Sequence, residues 1–231
     1  KALIQAGVKA IVIDTPHAHS KITQEAILNF KKQWPKMDLI VGNVGTSEAA
    51  EFLFELGADC VKVGVGPGAA CTTRVNTGTG MPQLTAIMEC FEVAKKYSKT
   101  ILADGGIKQP GDFAKAIAAG GSAVYAGSIF AGTVESPSEL IEKNGKQYKK
   151  YWGSASSIAR EMRAKNDDGY KADTKKFIEG AEGLVPYQGS VKELMERHAD
   201  GLKSAMSFSG SYTIKEFQEK AVFLPITAHA A

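Results

Sequence analysis

The chain has 231 residues, is 44% hydrophobic and 23% charged, and has the composition of an ordinary globular protein able to bury a substantial core. Its net charge of +3 is spread without a basic block, and no apolar run approaches the roughly 18 residues of a membrane span, so neither nucleic acid nor membrane is an expected partner. Three cysteines (Cys60, Cys71, Cys90) show no disulfide or zinc spacing and suit a reducing compartment, with the cytoplasm as the expected location.

The opening "KALIQAG" reads as the end of a helix, without methionine or a signal-peptide pattern, so the chain is expected to start partway through a larger protein. A pattern then recurs: a helical segment closes on glycine and a β-rich run follows, as in "LIQAGVKAIVIDT", "LFELGADCVKVGV" and "AIAAGGSAVYAGS". The short β-branched runs at 10–13 and 61–63 suit strands buried on both faces, and "DLIVGN" and "TILADGG" add two more. Helices are predicted over 22–34, from 47 to about 56, over 82–97 and over 110–119, the last two opening on Pro82 and Pro110. Strict alternation predicts a parallel sheet with right-handed crossovers and five strand–helix units by residue 140.

An open doubly wound sheet and a (β/α)8 TIM barrel both fit that alternation. The unusual residues favour the barrel, because Asp14, Asn43, the loop 64–71, Asp104 to Gly106 and Gly127–Ser128 fall at the carboxyl ends of successive strands. An open sheet would gather its site at one switch point. Five units do not close a barrel, so three more are expected upstream of Lys1. Beyond residue 140, "EKNGKQYKKYWGSASS" and the stretch 160–176 show no strand rhythm and read as a mobile lid or a disordered insertion. An amphipathic helix from about Val191 to Ala205 and a tail complete the chain.

"GVGPGAAC", residues 64–71, is neither a dinucleotide fingerprint nor a P-loop. Its backbone suits a tight turn, an anion cradle or carbonyls aimed at a cation. Cys71 ends that loop, whereas Cys60 and Cys90 lie in a strand and a helix and read as packing residues. A free thiol has a pKa of about 8.5, and Arg74, three residues on, offers positive charge. Asp104 suits ribose hydroxyls or a helix cap, and Gly127–Ser128 suits a phosphate at the next strand end. His17 and His19 lack a third metal ligand, which leaves Asp14 as the stronger polar contact. Glu179 and Glu182 are site residues or solvated loop charges.

Together these motifs resemble the IMP dehydrogenase/GMP reductase family. The resemblance spans nearly the whole chain through "GVGPGAACTTR", "ADGGI", "AGSIFAGTVESP", "YWGSAS" and "EGAEGLVPYQG", in that order. It implies one catalytic barrel domain over 1–231, with β/α units at 1–140, a mobile flap and base-binding segment at 141–190, and a C-terminal helix and tail at 191–231. It implies a covalent adduct between Cys71 and purine C2, with hydride exchanged with NADP(H) or NAD(H). Thr73 and Glu179 match the base-contacting, proton-relaying pair. Asp104 matches the ribose ligand, while Gly106, Gly127, Ser128 and Tyr151 match the phosphate ligands. Gly153, Ser154 and Ala155 match the backbone cradle for the base. Asp14, Thr15 and Asn43 match positions beside the dinucleotide. The carbonyls of Gly66, Gly68 and Cys71 match a monovalent-cation site, for K+. A GMP- or IMP-type mononucleotide and a homotetramer are the implied partners.

Two departures stand out: Ala69 replaces a serine whose hydroxyl would meet phosphate, leaving only its amide, and Ala18 replaces a glycine. In the flap, "KNDDGYKADTKKFIEG" places Gly169 before Tyr170, where dehydrogenases carry an arginine that activates water. The resemblance therefore favours GMP reductase, with IMP dehydrogenase the alternative and Arg163 a substitute arginine. A non-catalytic nucleotide-binding regulator and an unrelated phosphate-binding barrel explain fewer of these residues.

Overall fold

The computed structural model describes residues 1–166 and 180–227. After a short α1 (Ala2–Gln5) the chain alternates β1 (Ala10–Asp14), α2 (Lys21–Gln33), β2 (Asp38–Val44), α3 (Ser47–Glu55) and β3 (Cys60–Val63). It continues through α4 (Thr73–Thr77), α5 (Gln83–Lys96), β4 (Thr100–Asp104), α6 (Pro110–Ala118), β5 (Ala123–Tyr125) and α7 (Ser128–Ala131). Side-chain caps start these helices where expected. Ser20 and Thr46 accept from the Thr23 and Ala49 amides, each at 3.3 Å, and Gln109 and Asp112 form a capping box across the first turn of α6, which opens on Pro110. Pro82 caps α5 rather than opening it, because its backbone is still extended (ψ 125°) and the helix starts at Gln83.

All five strands are parallel and lie in chain order, β1-β2-β3-β4-β5. Sequential order with crossovers of one hand places successive helices on one face, so the sheet curls into a half-barrel. The helix side of the sheet carries the core. Leu39, Val41, Val61, Val63, Ile101 and Ala103 are fully buried against Ile27, Leu53 and Ile87. Because side chains alternate, their neighbours Gly42, Lys62 and Leu102 share the opposite, concave face, in register with Asp14.

The second half corrects the reading of 142–157. β6 (Leu140–Lys143) and β7 (Lys146–Trp152) form a hairpin, and β8 (Glu182–Pro186) pairs with β7 to complete an antiparallel sheet. The turn is Asn144-Gly145, both with positive φ (54° and 70°), the Asn-Gly hairpin signal hidden among lysines. α8 (Ser157–Asn166) follows β7. α9 (Val191–Phe208), opened by a Ser190/Glu193 capping box, runs three residues past the expected end. The expected tail contains a further helix, α10 (Ile214–Lys220), capped by Thr213.

Candidate active site

The carboxyl ends of the five parallel strands open into a cavity of about 1110 Å³, bordered also by the loop 64–71, residues 151–155 and α8. Of the site residues expected from the sequence, Asp14, Thr15, Asn43, Gly66, Gly68, Ala69, Cys71, Thr73, Asp104, Gly106, Gly127, Ser128, Tyr151, Gly153, Ser154 and Ala155 line it, whereas Glu182 does not and instead accepts from Ser157 Oγ and the Ile158 amide. Glu179, Gly169 and Tyr170 lie outside the described residues.

The loop is shaped by contacts that exclude side chains. A Cβ on Gly64 (φ 153°) would lie 2.1 Å from the Asp104 carbonyl, so only glycine lets β3 leave beside the end of β4. Beyond it the Cys71 amide donates to Gly68 O at 3.0 Å, and the Cys71 thiol donates to Thr73 Oγ1 at 3.2 Å. The chain returns to this loop after α8. Gly180 bridges Cys71, the Ala181 amide donates to Ala70 O at 2.7 Å, and the Gly153 amide donates to Ala181 O at 3.0 Å. Residues distant in sequence are thereby stitched around the thiol.

The other cysteines behave as packing residues. Burial, with Glu89 nearby, pushes the Cys90 thiol up to about 12, and burial also raises Cys60. Arg74 does not line the cavity; a Cβ on Gly66 or Gly80 would lie 2.7 or 2.5 Å from its Cγ, so its stem is wedged between two glycines. His19 packs on Phe52 (ring centroids 4.6 Å apart), and the described residues contain no cluster of three metal-ligating side chains.

At the β5 end of the cavity, a Cβ on Gly127 would stand 2.7 Å from the Tyr151 hydroxyl, so the phenol lies directly over that glycine. Burial, reinforced by the charge of Asp104, raises the Tyr151 pKa. The phenol stays protonated and able to donate to an anion. Thr15 turns its hydroxyl inward onto Gly42 O at 3.1 Å. Asn43 Nδ2 donates to Gly64 O at 2.7 Å and to Asp104 Oδ2 at 2.9 Å. Its Oδ1 is buried without a partner among the described residues.

Two residues escaped the sequence reading. Lys62, in the apolar run "CVKV", is 2% exposed, and its ammonium contacts Asp104 Oδ2 and Asp14 Oδ1, the latter at 3.0 Å. Burial alone would lower its pKa, but the two carboxylates outweigh it and raise the pKa. The available signal was one lysine in a strand otherwise buried on both faces, where a charge persists only if paired. Gln83 donates through Nε2 to Val63 O (2.9 Å) and Asp104 O (3.1 Å), tying the ends of β3 and β4.

Comparisons with known proteins place the chain in a family. The family model described as "IMP dehydrogenase / GMP reductase domain" matches residues 1–231. The inosine-5'-monophosphate dehydrogenase of Aquifex aeolicus is 48% identical over 227 residues, covering 98% of this chain and 46% of that protein. The Bacillus subtilis enzyme of the same name is 46% identical over 228 residues, with the same coverage of 98% and 46%. A solved cysteine-to-alanine variant of GMP reductase from Trypanosoma brucei, in complex with guanosine 5'-monophosphate, superposes with a TM-score of 0.91 at 36% identity. That match covers 99% of this chain and 47% of the other. The chain thus spans about half the length of the curated relatives it matches. It belongs to the IMP dehydrogenase/GMP reductase family.

Proposed function

We propose that the protein is a purine-nucleotide oxidoreductase acting as a GMP reductase: GMP + NADPH + 2H⁺ → IMP + NADP⁺ + NH₄⁺. The observation that carries the nucleotide chemistry is the Cys71 thiol on the wall of a cavity that also holds the Asp104 carboxylate and the Tyr151 phenol over Gly127. In this reading Asp104 accepts the ribose hydroxyls. Gly106, Gly127, Ser128, Tyr151 and the Ala69 amide hold phosphate, and residues 153–155 cradle the base. Cys71 Sγ bonds to purine C2, and the 2-amino group is protonated and leaves as ammonia. The C–S bond breaks after C2 has gained a hydride, which releases IMP and restores the thiol. A reduced nicotinamide supplies that hydride when bound.

Thr73, within hydrogen-bond reach of the thiol, moves protons to and from the base with Glu179. The second ligand fits beside Asp14, Thr15 and Asn43, where the orphaned Asn43 Oδ1 would accept from a carboxamide N–H. A monovalent cation would be held by the carbonyls of Gly66, Gly68 and Cys71, although Gly68 O already accepts one hydrogen bond.

The direction of reaction rests on Gly169-Tyr170, where hydrolysis of the adduct would call for arginine. The second reading, IMP + NAD⁺ + H₂O → XMP + NADH + H⁺, is favoured by the 46–48% identity to dehydrogenases and by Arg163 on the cavity wall. A paired assay of the full-length protein decides. NADPH oxidation dependent on GMP is expected, and NADH formation from IMP and NAD⁺ with no GMP-dependent NADPH oxidation would overturn the reductase reading.

A further inference from the structure

Lys62 occupies a position at which a charge is costly. It sits in a central strand with its side chain 3% exposed, on the concave face, in register with Gly42 and Leu102. Three features make the position workable. Gly42 presents no side chain between Lys62 and Asp14; a Cβ there would stand 2.5 Å from Lys62 Cβ. The Tyr125 ring lies 4.9 Å from the ammonium, on the flank toward β5. Two carboxylates, Asp14 and Asp104, accept from the ammonium.

Asp104 is the partner on which this matters. Its Oδ2 accepts from both Lys62 Nζ and Asn43 Nδ2, while Oδ1 has no hydrogen-bond partner among the described residues and the side chain lines the cavity. A carboxylate held through one oxygen by two donors has its rotamer fixed, and its second oxygen is presented in one direction. Asp14 shares the same ammonium but is more exposed, its side chain at 56%, so the restraint falls mainly on Asp104.

We propose that Lys62 is a positioning residue for ribose recognition: it clamps Asp104 through Oδ2 so that Oδ1 faces the sugar hydroxyls of the mononucleotide. This rests on the nucleotide reading of the cavity and adds to it the source of selectivity for ribose over deoxyribose. A buried acceptor aimed at a hydroxyl discriminates strongly against an analogue lacking it; a carboxylate free to rotate does not. Loss of the clamp therefore removes discrimination, not only affinity.

Equilibrium binding of GMP, 2'-deoxy-GMP and 3'-deoxy-GMP to the full-length protein tests this in the parent, Lys62→Met and Lys62→Arg. The parent prefers GMP over at least one deoxy analogue. Lys62→Met loses about tenfold or more of that preference. Lys62→Arg, which keeps a buried cation within reach of Asp104, retains it to within about threefold. A simple packing defect would weaken all three ligands alike and leave the ratio unchanged, and that outcome in Lys62→Met overturns the inference while leaving the nucleotide reading intact. A parent that binds no GMP overturns both. If Lys62→Met does not fold, Lys62→Arg decides alone, and loss of the ribose preference in it overturns the inference.

Discussion

Cys71 differs from the other two cysteines in its surroundings rather than its chemistry. Cys90 is sealed on the buried face of α5 and Cys60 is half-buried in β3, whereas Cys71 lies on the cavity wall with Thr73 Oγ1 at 3.2 Å. Replacing it with serine nearly keeps the volume but removes the proposed nucleophile, so Cys71→Ser is expected to lower kcat by about 10³-fold or more while leaving mononucleotide affinity near the parent's. Steady-state turnover beside equilibrium binding checks this, and near-parental turnover would refute covalent catalysis. Gly127 makes a second test. The Cβ of Gly127→Ala would displace the Tyr151 hydroxyl, so under the proposed phosphate role the Kd for GMP is expected to rise about tenfold, the loss of one hydrogen bond to a charged group. Inosine, which has no phosphate, gains nothing from that hydrogen bond, so titrations with both ligands separate a phosphate effect from general damage.

Elements are joined at the opposite end of the sheet by Asp59. Its carboxylate accepts from Lys31 on α2 and Lys99 before β4, both at 2.6 Å, and from the Leu39 amide of β2 at 3.0 Å. Burial would raise this carboxyl, but the two lysines and the amide hold it at about 2. A folded-state pKa below the unfolded value contributes stability that is fully present above about pH 4 and is lost as pH falls toward 2. Two pH units correspond to roughly 2–3 kcal/mol, reduced to about 1–2 because the side chain is partly exposed. Asp59→Asn is therefore expected to lower stability at pH 7 by that amount and to narrow the gap to the parent near pH 2. Denaturant titrations at the two pH values check it, and a gap unchanged at low pH would exclude the assignment. The parallel strands and four amphipathic helices were legible because apolar periodicity and glycine caps are local signals. The β6–β7 hairpin was not, because β7 carries three lysines across "KQYKKYW" and its second edge is paired only when β8 joins it, 30 residues later.

Across the whole molecule, the order β1 to β5 brings five strand ends to one rim, and that rim is where Asp14, Asn43, Cys71, Asp104 and Ser128 meet. No helix of the described residues is long and apolar enough to cross a membrane. The amino-acid sequence by itself determined the β/α alternation, the curl implied by sequential strands, and which residues stand at the strand ends. These follow from side-chain period, chirality and chain connectivity, which are read along the chain. Tertiary structure alone decided that Lys62 reaches across Gly42 to Asp14 and up to Asp104, and that Gly180 returns to bridge Cys71. Such contacts depend on register between strands and on closure of long loops, and no local pattern of residues encodes either.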